Sequence, residues 1–335
     1  MANWVNCFEG SGQTRQRFAH ATIYLAARPL STLPWVRTAY LGTSPFAVTV
    51  LDRLAQSDHR PLLVVTRPDR PKGRGRRLSA PPVAEAAREL GIEVIQPESV
   101  NSEEARAQIA AVEPDAVLIC AFGALIKEPL LSAHPMYNVH PSLLPRWRGA
   151  APVERAIEAG DPVTGVSIMR PVEEMDAGPV CLRREEPIGP DDDYGSLAPR
   201  LAALGGELLV ESLDRRPGFA EQPEEGITIA PKIGPEDRRL DPSLGAELLE
   251  RRVRALNPHI GAFAETASGE RLGVRRAAVA SESVAPGALA VRDGRLLLGA
   301  DGGALELLEV VPPGGRPMDA ASYLRGRGAH LAGAG

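Results

Sequence analysis

Residues 116–145 read AVLICAFGALIKEPLLSAHPMYNVHPSLLP, and this stretch decides the fold class. Its first five residues, 116–120, are an unbroken apolar run of strand length. A strand tolerates such a run when both sheet faces are covered, as in a parallel sheet with helices on either side. Residues 136–139 read as a second strand, and it closes on two polar residues, Asn138 and His140. Side chains two apart on a strand share a face, so the amide and the imidazole are expected to converge on one ligand atom. They stand at the C-terminal end of a parallel strand, where open α/β sheets bind their ligands.

The pattern extends outward in both directions. Upstream, residues 38–41, 62–66 and 94–95 read as strands, and 47–55, 83–90 and 102–112 as helices. The 83–90 helix follows Pro81-Pro82, residues suited to a first helical turn. Downstream come a helix at 152–158, a strand at 165–169 and a long helix at 194–215, the last expected to break near Gly205-Gly206. Strands alternating with helices predict an α/β domain of the doubly wound, Rossmann-like kind over residues 36–214. Residues 215–234, rich in Pro, Gly and Glu without apolar periodicity, read as a linker. Beyond them, Leu244, Leu248, Leu249, Val253 and Leu256 mark one amphipathic helix. Short strands at 271–276, 288–292, 296–298 and 304–311 then predict a small OB-like β-barrel within residues 235–335.

Residues 1–35 lack this organisation and form an N-terminal extension. The expectation is that translation starts at Val36, from an alternative start codon read as methionine, and peptides mapping inside the extension would refute it.

Composition excludes several classes. The 335 residues are 44% hydrophobic with a net charge of −5, so any nucleic-acid contact must come from a local patch. Cys7, Cys120 and Cys181 stand in no metal-ligand spacing, and the histidines form no metal-binding pair, so no metal is expected. A cytoplasmic monomer without a membrane span is the expectation. Gly42-Thr43-Ser44-Pro45 lacks the G-x-G-x-x-G fingerprint, which argues against a dinucleotide cofactor.

Three groups of residues carry chemistry. An amide donor beside an imidazole, Asn138 with His140, suits a reaction that builds negative charge on a carbonyl oxygen. The same His moves protons near neutral pH. Asp176, in the polar turn Glu173–Gly178, could orient that imidazole or take a proton from an attacking amine; alone it would read as a solvated acidic turn. Residues 67–77 hold six cations, Arg67, Arg70, Lys72, Arg74, Arg76 and Arg77, against one acid, which suits phosphate contact or simply a basic surface loop.

The stretch NVHPSLLPRWRGAAP at Asn138–Pro152 resembles the 10-formyltetrahydrofolate-dependent formyltransferases. The similarity runs co-linearly from Val36 to the C-terminus, through Gly42–Ala47, Ala121-Phe122-Gly123, Ala230–Ile233 and Asn257-Pro258. It implies Asn138, His140 and Asp176 as the catalytic trio. It also implies a folate site lined by Ser142, Leu143, Leu144, Pro145, Phe122 and Gly123. The basic loop, Arg67 to Arg77, would grip a tRNA acceptor stem. The implied co-substrate is 10-formyltetrahydrofolate, and the implied acceptor is the methionyl group of initiator tRNA, as translation initiation requires. His134–Tyr137 and Asp241-Pro242 depart from the family pattern. A formyltransferase for a small amine, a hydrolase releasing formate and a non-catalytic RNA-binding protein are the competing readings.

Overall fold

The computed structural model describes residues 35–72, 77–266 and 269–328, so the N-terminal extension up to Pro34 lies outside the described residues. The first body runs β1 (Thr38–Gly42), α1 (Pro45–Ala55), β2 (Pro61–Val65), α2 (Pro82–Glu89), β3 (Glu93–Ile95), α3 (Glu103–Ala111) and β4 (Ala116–Cys120). It continues through β5 (Met136–His140), α4 (Pro152–Ala159), β6 (Val163–Met169), β7 (Val180–Pro187) and α5 (Tyr194–Arg215). One seven-stranded sheet has the order β7-β6-β5-β4-β1-β2-β3. Strands β3, β2, β1, β4 and β5 are parallel, and β6 and β7 close one edge in antiparallel register.

The apolar runs do what their composition requires. Tyr40, Val64 and Leu118 project to one face, where α1, α2 and α5 cover them, and Leu41, Val65 and Ile119 project to the other, under α3. Each such side chain, taken fully out of water, contributes on the order of 2 kcal/mol. Helix starts follow local chemistry: Ser44 caps α1 ahead of Pro45, and Ser102 caps α3.

Helix α5 is continuous over 22 residues, contrary to the expected break at Gly205-Gly206. Those glycines are there for packing. A Cβ at Gly205 would lie 2.7 Å from Val139 Cγ1, and one at Gly206 would lie 2.9 Å from Arg53 Cβ. Their absent side chains let α5 lie close on β5 and α1, at the cost in helix propensity that glycine carries. Strand β7 is not legible in the sequence, because its four consecutive charged residues, Arg183–Glu186, carry no period-two apolar pattern.

The second body packs helix α6 (Ala246–Leu256) against β8 (Ala262–Glu265), β9 (Arg271–Ala280), β10 (Leu289–Arg292), β11 (Arg295–Ala300) and β12 (Gly303–Val311). These strands pair antiparallel in the order β8-β9-β12-β11-β10, and Met318–Asp319 adds to β12. Among the described residues the end strands β8 and β10 do not pair with each other, which agrees with the expected OB-like barrel in its partly open form. Register shifts between Val274 and Ala277 supply part of its bend.

The two bodies are tied by charge. Arg155 of α4 donates to Asp237 Oδ1 at 2.7 Å, and Arg252 of α6 donates to Glu158 Oε1 at 2.7 Å. Residues 215–234 are no free tether. Ala220 pairs with Val180, and Ile229–Ala230 pairs in parallel with Arg148–Gly149, so the segment is strapped across the first body. Backbone hydrogen bonds rather than buried apolar faces hold it, which is why no periodicity marked it.

Candidate active site

The site is built where β1, β4 and β5 end. After β4 the chain turns sharply through Ala121 (φ 43°) and Gly123 (φ 71°). Thr43 Oγ1 donates to the Phe122 carbonyl at 2.8 Å, and Arg67 Nη1 donates to the Gly123 carbonyl at 2.7 Å. These contacts fix one wall of a cavity of about 610 Å³, whose apolar surface includes Ile119, Phe122, Ile126, Leu131 and Val139. Its polar groups include Asn138, Asp176 and Glu154.

Strand β5 delivers Asn138 and His140 two residues apart at its C-terminal end. Asn138 lines the cavity, and its amide makes only a weak 3.5 Å contact with Met169 Sδ. The His140 side chain is 6% exposed and sits behind the wall, with its Nδ1 3.6 Å from Asp176 Oδ2. Its Nε2 is 2.8 Å from the Trp147 carbonyl oxygen. A carbonyl only accepts, so Nε2 carries a hydrogen, and Nδ1 is the ring nitrogen that faces Asp176.

The loop after β5 holds that geometry. Asp161 accepts from Arg146 Nε and Nη2 and from Trp147 Nε1, at 2.6–2.8 Å. That contact places the Trp147 carbonyl over His140. Ser167 Oγ donates to the Ser142 carbonyl at 2.7 Å and accepts from the Leu144 N–H at 3.1 Å. Ser142 and Leu144 are fully buried, and none of Ser142, Leu143, Leu144 and Pro145 lines the cavity. Ser142 and Leu144 are tied to Ser167 of β6, and Ser142 Oγ donates to the Arg146 carbonyl, so these two residues brace the loop. Phe122 and Gly123 do line it.

Asp176 adopts φ 51°, a left-handed conformation that aspartate tolerates better than most residues. Its Oδ2 accepts the Gly149 N–H at 2.8 Å. The nearby Gly178 is needed for a close approach instead, since a Cβ there would lie 1.9 Å from the Arg170 carbonyl oxygen.

The second body reaches the cavity at one place missed in the sequence. His259 stacks on Tyr194 with ring centroids 3.6 Å apart, and its Nε2 lies 3.0 Å from Glu154 Oε1. Tyr194 and Glu154 both line the cavity. Burial and the Glu154 charge push the Tyr194 phenol up to about 12, so it stays neutral. The three come from separate elements, and no local motif joins them.

The basic residues divide. Arg67 donates through Nη1 to the Gly123 carbonyl, next to the cavity wall. Arg70–Lys72 and Arg77–Ser79 pair as a short hairpin, in which Arg70 is exposed. Arg74 and Arg76 lie outside the described residues. Among the described residues, no three of His, Cys, Asp and Glu gather as metal ligands would, and no helix is long and apolar enough to cross a membrane.

Two family models match the chain: "Formyl transferase" over residues 36–213 and "Formyl transferase, C-terminal domain" over residues 232–328. The chain belongs to the formyl transferase family. Among curated relatives of this formyl transferase, the methionyl-tRNA formyltransferase of Halorhodospira halophila is 44% identical over 302 residues, covering 87% of this chain and 96% of the relative. That of Methylococcus capsulatus is 43% identical over 86% of this chain and 96% of the relative. Among solved structures, HypX from Aquifex aeolicus has a TM-score of 0.60 at 18% identity, over 88% of this chain and 48% of that one. The N-formyltransferase of Helicobacter canadensis, solved with folinic acid and dTDP-3-aminofucose, has a TM-score of 0.58 at 14% identity, over 81% of this chain and 98% of that one. Both structures share the fold.

Proposed function

We propose that this formyl transferase moves the formyl group of 10-formyltetrahydrofolate to the free amino group of methionine esterified to initiator tRNA. The acceptor follows from relatives of that name at 39–44% identity, of which the chain spans nearly the whole length. The observation that carries the chemistry is a cavity-facing amide and carboxylate, Asn138 and Asp176, with His140 directly behind the carboxylate.

The cavity fits the donor: its volume of about 610 Å³ and largely apolar lining, with polar groups to one side, suit an aromatic heterocycle carrying a reactive end. The folate supplies an activated formyl carbon. Asn138 Nδ2 donates to the formyl oxygen as negative charge grows on it during attack by the amine. Asp176 takes the proton that the amine sheds, and His140 Nδ1, with Nε2 held on the Trp147 carbonyl, shares it; the proton then passes to N10 as the formyl–N10 bond breaks and tetrahydrofolate leaves. His140 thus acts through Asp176, and Asp161, Trp147 and Gly149 hold the pair in register. The basic loop with Arg70, Lys72, Arg74, Arg76 and Arg77 supplies phosphate contacts.

The test compares charged initiator tRNA, charged elongator tRNA and glycinamide ribonucleotide as acceptors with 10-formyltetrahydrofolate. Formylation of the initiator species is expected, and activity on the nucleotide alone would overturn the acceptor. Asp176→Ala and Asn138→Ala are expected to abolish turnover while the protein stays folded.

A further inference from the structure

The strap between the two bodies crosses the back of the Asp176 turn, and one of its side chains is inserted there. Gln222 Nε2 donates to two carbonyl oxygens, Asp176 O and Gly178 O, each at 2.7 Å. Its Oε1 accepts from Arg148 Nε at 3.1 Å and Nη2 at 2.9 Å. Arg148 is 8% exposed and directly precedes Gly149, whose N–H holds Asp176 Oδ2.

This arrangement fixes the amide's orientation, because its oxygen faces a guanidinium and its nitrogen faces two acceptors. Two carbonyl dipoles that converge on one point repel each other unless a donor with two hydrogens sits between them. A primary amide is such a donor, and its oxygen remains available for the fork of an arginine. The turn it closes holds Asp176 at φ 51°, outside the backbone region that most residues prefer. Asp176 is therefore restrained at both ends: its carboxylate by Gly149 N–H, and its own carbonyl by Gln222.

We propose that Gln222 is a positioning residue for the formyl transfer, holding the Asp176 turn in the conformation that presents its carboxylate to the cavity. The inference rests on the reading of Asp176 as the proton acceptor. It also makes the interdomain strap part of the catalytic apparatus, so that strain on the strap is felt at the carboxylate.

The strap does not depend on Gln222 for its own attachment. Ala220 exchanges hydrogen bonds with Val180 on one side, and Thr228 and Ala230 accept from Trp147, Arg148 and Ala150 on the other. Gln222→Ala is therefore expected to fold normally, with thermal stability near that of the parent. Misplacing the carboxylate by about an ångström costs on the order of 10–100-fold in kcat. KM for each substrate is expected to stay within about threefold, because no substrate contact is removed.

Gln222→Glu separates two roles: it keeps an acceptor for Arg148 but loses both donors, so it should lower kcat as Gln222→Ala does. In parallel, amide exchange in the peptide spanning residues 171–179 should quicken by about tenfold or more in both variants. Unchanged exchange there would overturn the proposal, as would Gln222→Glu with parental kcat and exchange. Faster exchange with parental turnover would also overturn it, because the turn could then loosen at no cost to the reaction; Asp176→Ala tells that outcome apart from a failure of Asp176's own role.

Discussion

Replacing Gly205 by alanine sets helix propensity against packing at the strand that carries the site. The new Cβ would lie 2.7 Å from Val139 Cγ1, with Val166 Cγ1 and Val50 Cγ2 at 3.7 and 3.8 Å. The optimum for a carbon pair is about 3.5–4.0 Å, so the Val139 contact falls short by about 1 Å. Val139 is β-branched and 3% exposed, so its side chain has little freedom to swing aside. Helix α5 or strand β5 must move. Alanine gains about 1 kcal/mol of helix propensity, whereas overpacking a core costs about 1–3 kcal/mol. The expected net loss is about 0–2 kcal/mol, which lowers Tm by a few degrees. Because Val139 stands between Asn138 and His140, the same shift is expected to lower kcat on the order of 10-fold or more. Ala203→Gly on the exposed side of α5 is the control for propensity alone, costing about 1 kcal/mol without loss of turnover. Urea unfolding and initial-rate formylation measure both. A Gly205→Ala protein that gains about 1 kcal/mol and keeps parental kcat would refute the close-packing argument.

Other perturbations have equally definite outcomes. Hydrogen bonds from Arg200, together with those from Ser196 and the Gly189 N–H, hold the Asp192 carboxyl well below the usual carboxylate range. Its folded value lies under its unfolded value of about 3.9, so this stability is present above about pH 4 and fades as pH falls further. The Tm gap between parent and Asp192→Asn should be fully open at pH 7 and begin to narrow only as pH falls below about 4. Burial pushes the Cys120 thiol up to about 12, so iodoacetamide at pH 8 should leave Cys120 unmodified until the protein unfolds, as peptide mass spectrometry can read. Arg67→Ala frees the Gly123 carbonyl and should raise KM for the folate more than it weakens tRNA binding; equal effects on both would place Arg67 in the phosphate-binding group. Asp161→Ala removes three hydrogen bonds around Trp147 and should cost about 2–3 kcal/mol in urea unfolding as well as lowering kcat.

The sequence announces an element wherever the element's own burial writes a pattern. Residues 116–120 are apolar throughout because both faces of β4 are covered, and Ser44-Pro45 marks a helix start because capping is local chemistry. Strand β7 stayed hidden because Arg183 and Glu185 face solvent while Arg184 and Glu186 on the other face pair with Glu211 and Arg200 of α5, so the run is charged throughout. Gly205-Gly206 was read as a break because propensity is local, whereas the reason for the glycines lies on Val139, far away in the chain. The site divides in the same way. Asn138 and His140 could be read from one strand end, but the contact that fixes the His140 ring is the Trp147 carbonyl, which only the folded loop supplies. Glu154, Tyr194 and His259 meet across more than 100 residues of chain, and spacing cannot report that.

The same division explains where this enzyme keeps its precision. Asn138 stands on a strand of the central sheet, locked by register on both sides, and needs no further support. Asp176 stands on a turn, in a backbone conformation that costs energy, and a turn relaxes unless its carbonyls and its carboxylate are held. Every restraint on it comes from outside its own segment: Gly149 from the loop after β5, and Gln222 from the strap. A residue placed by a sheet depends on the core, whereas one placed by a turn depends on the polar contacts around it. Variants that leave the core intact but cut those contacts should therefore separate stability from turnover at Asp176, whereas a variant that displaces the Asn138 backbone must disturb the sheet and lower stability with turnover.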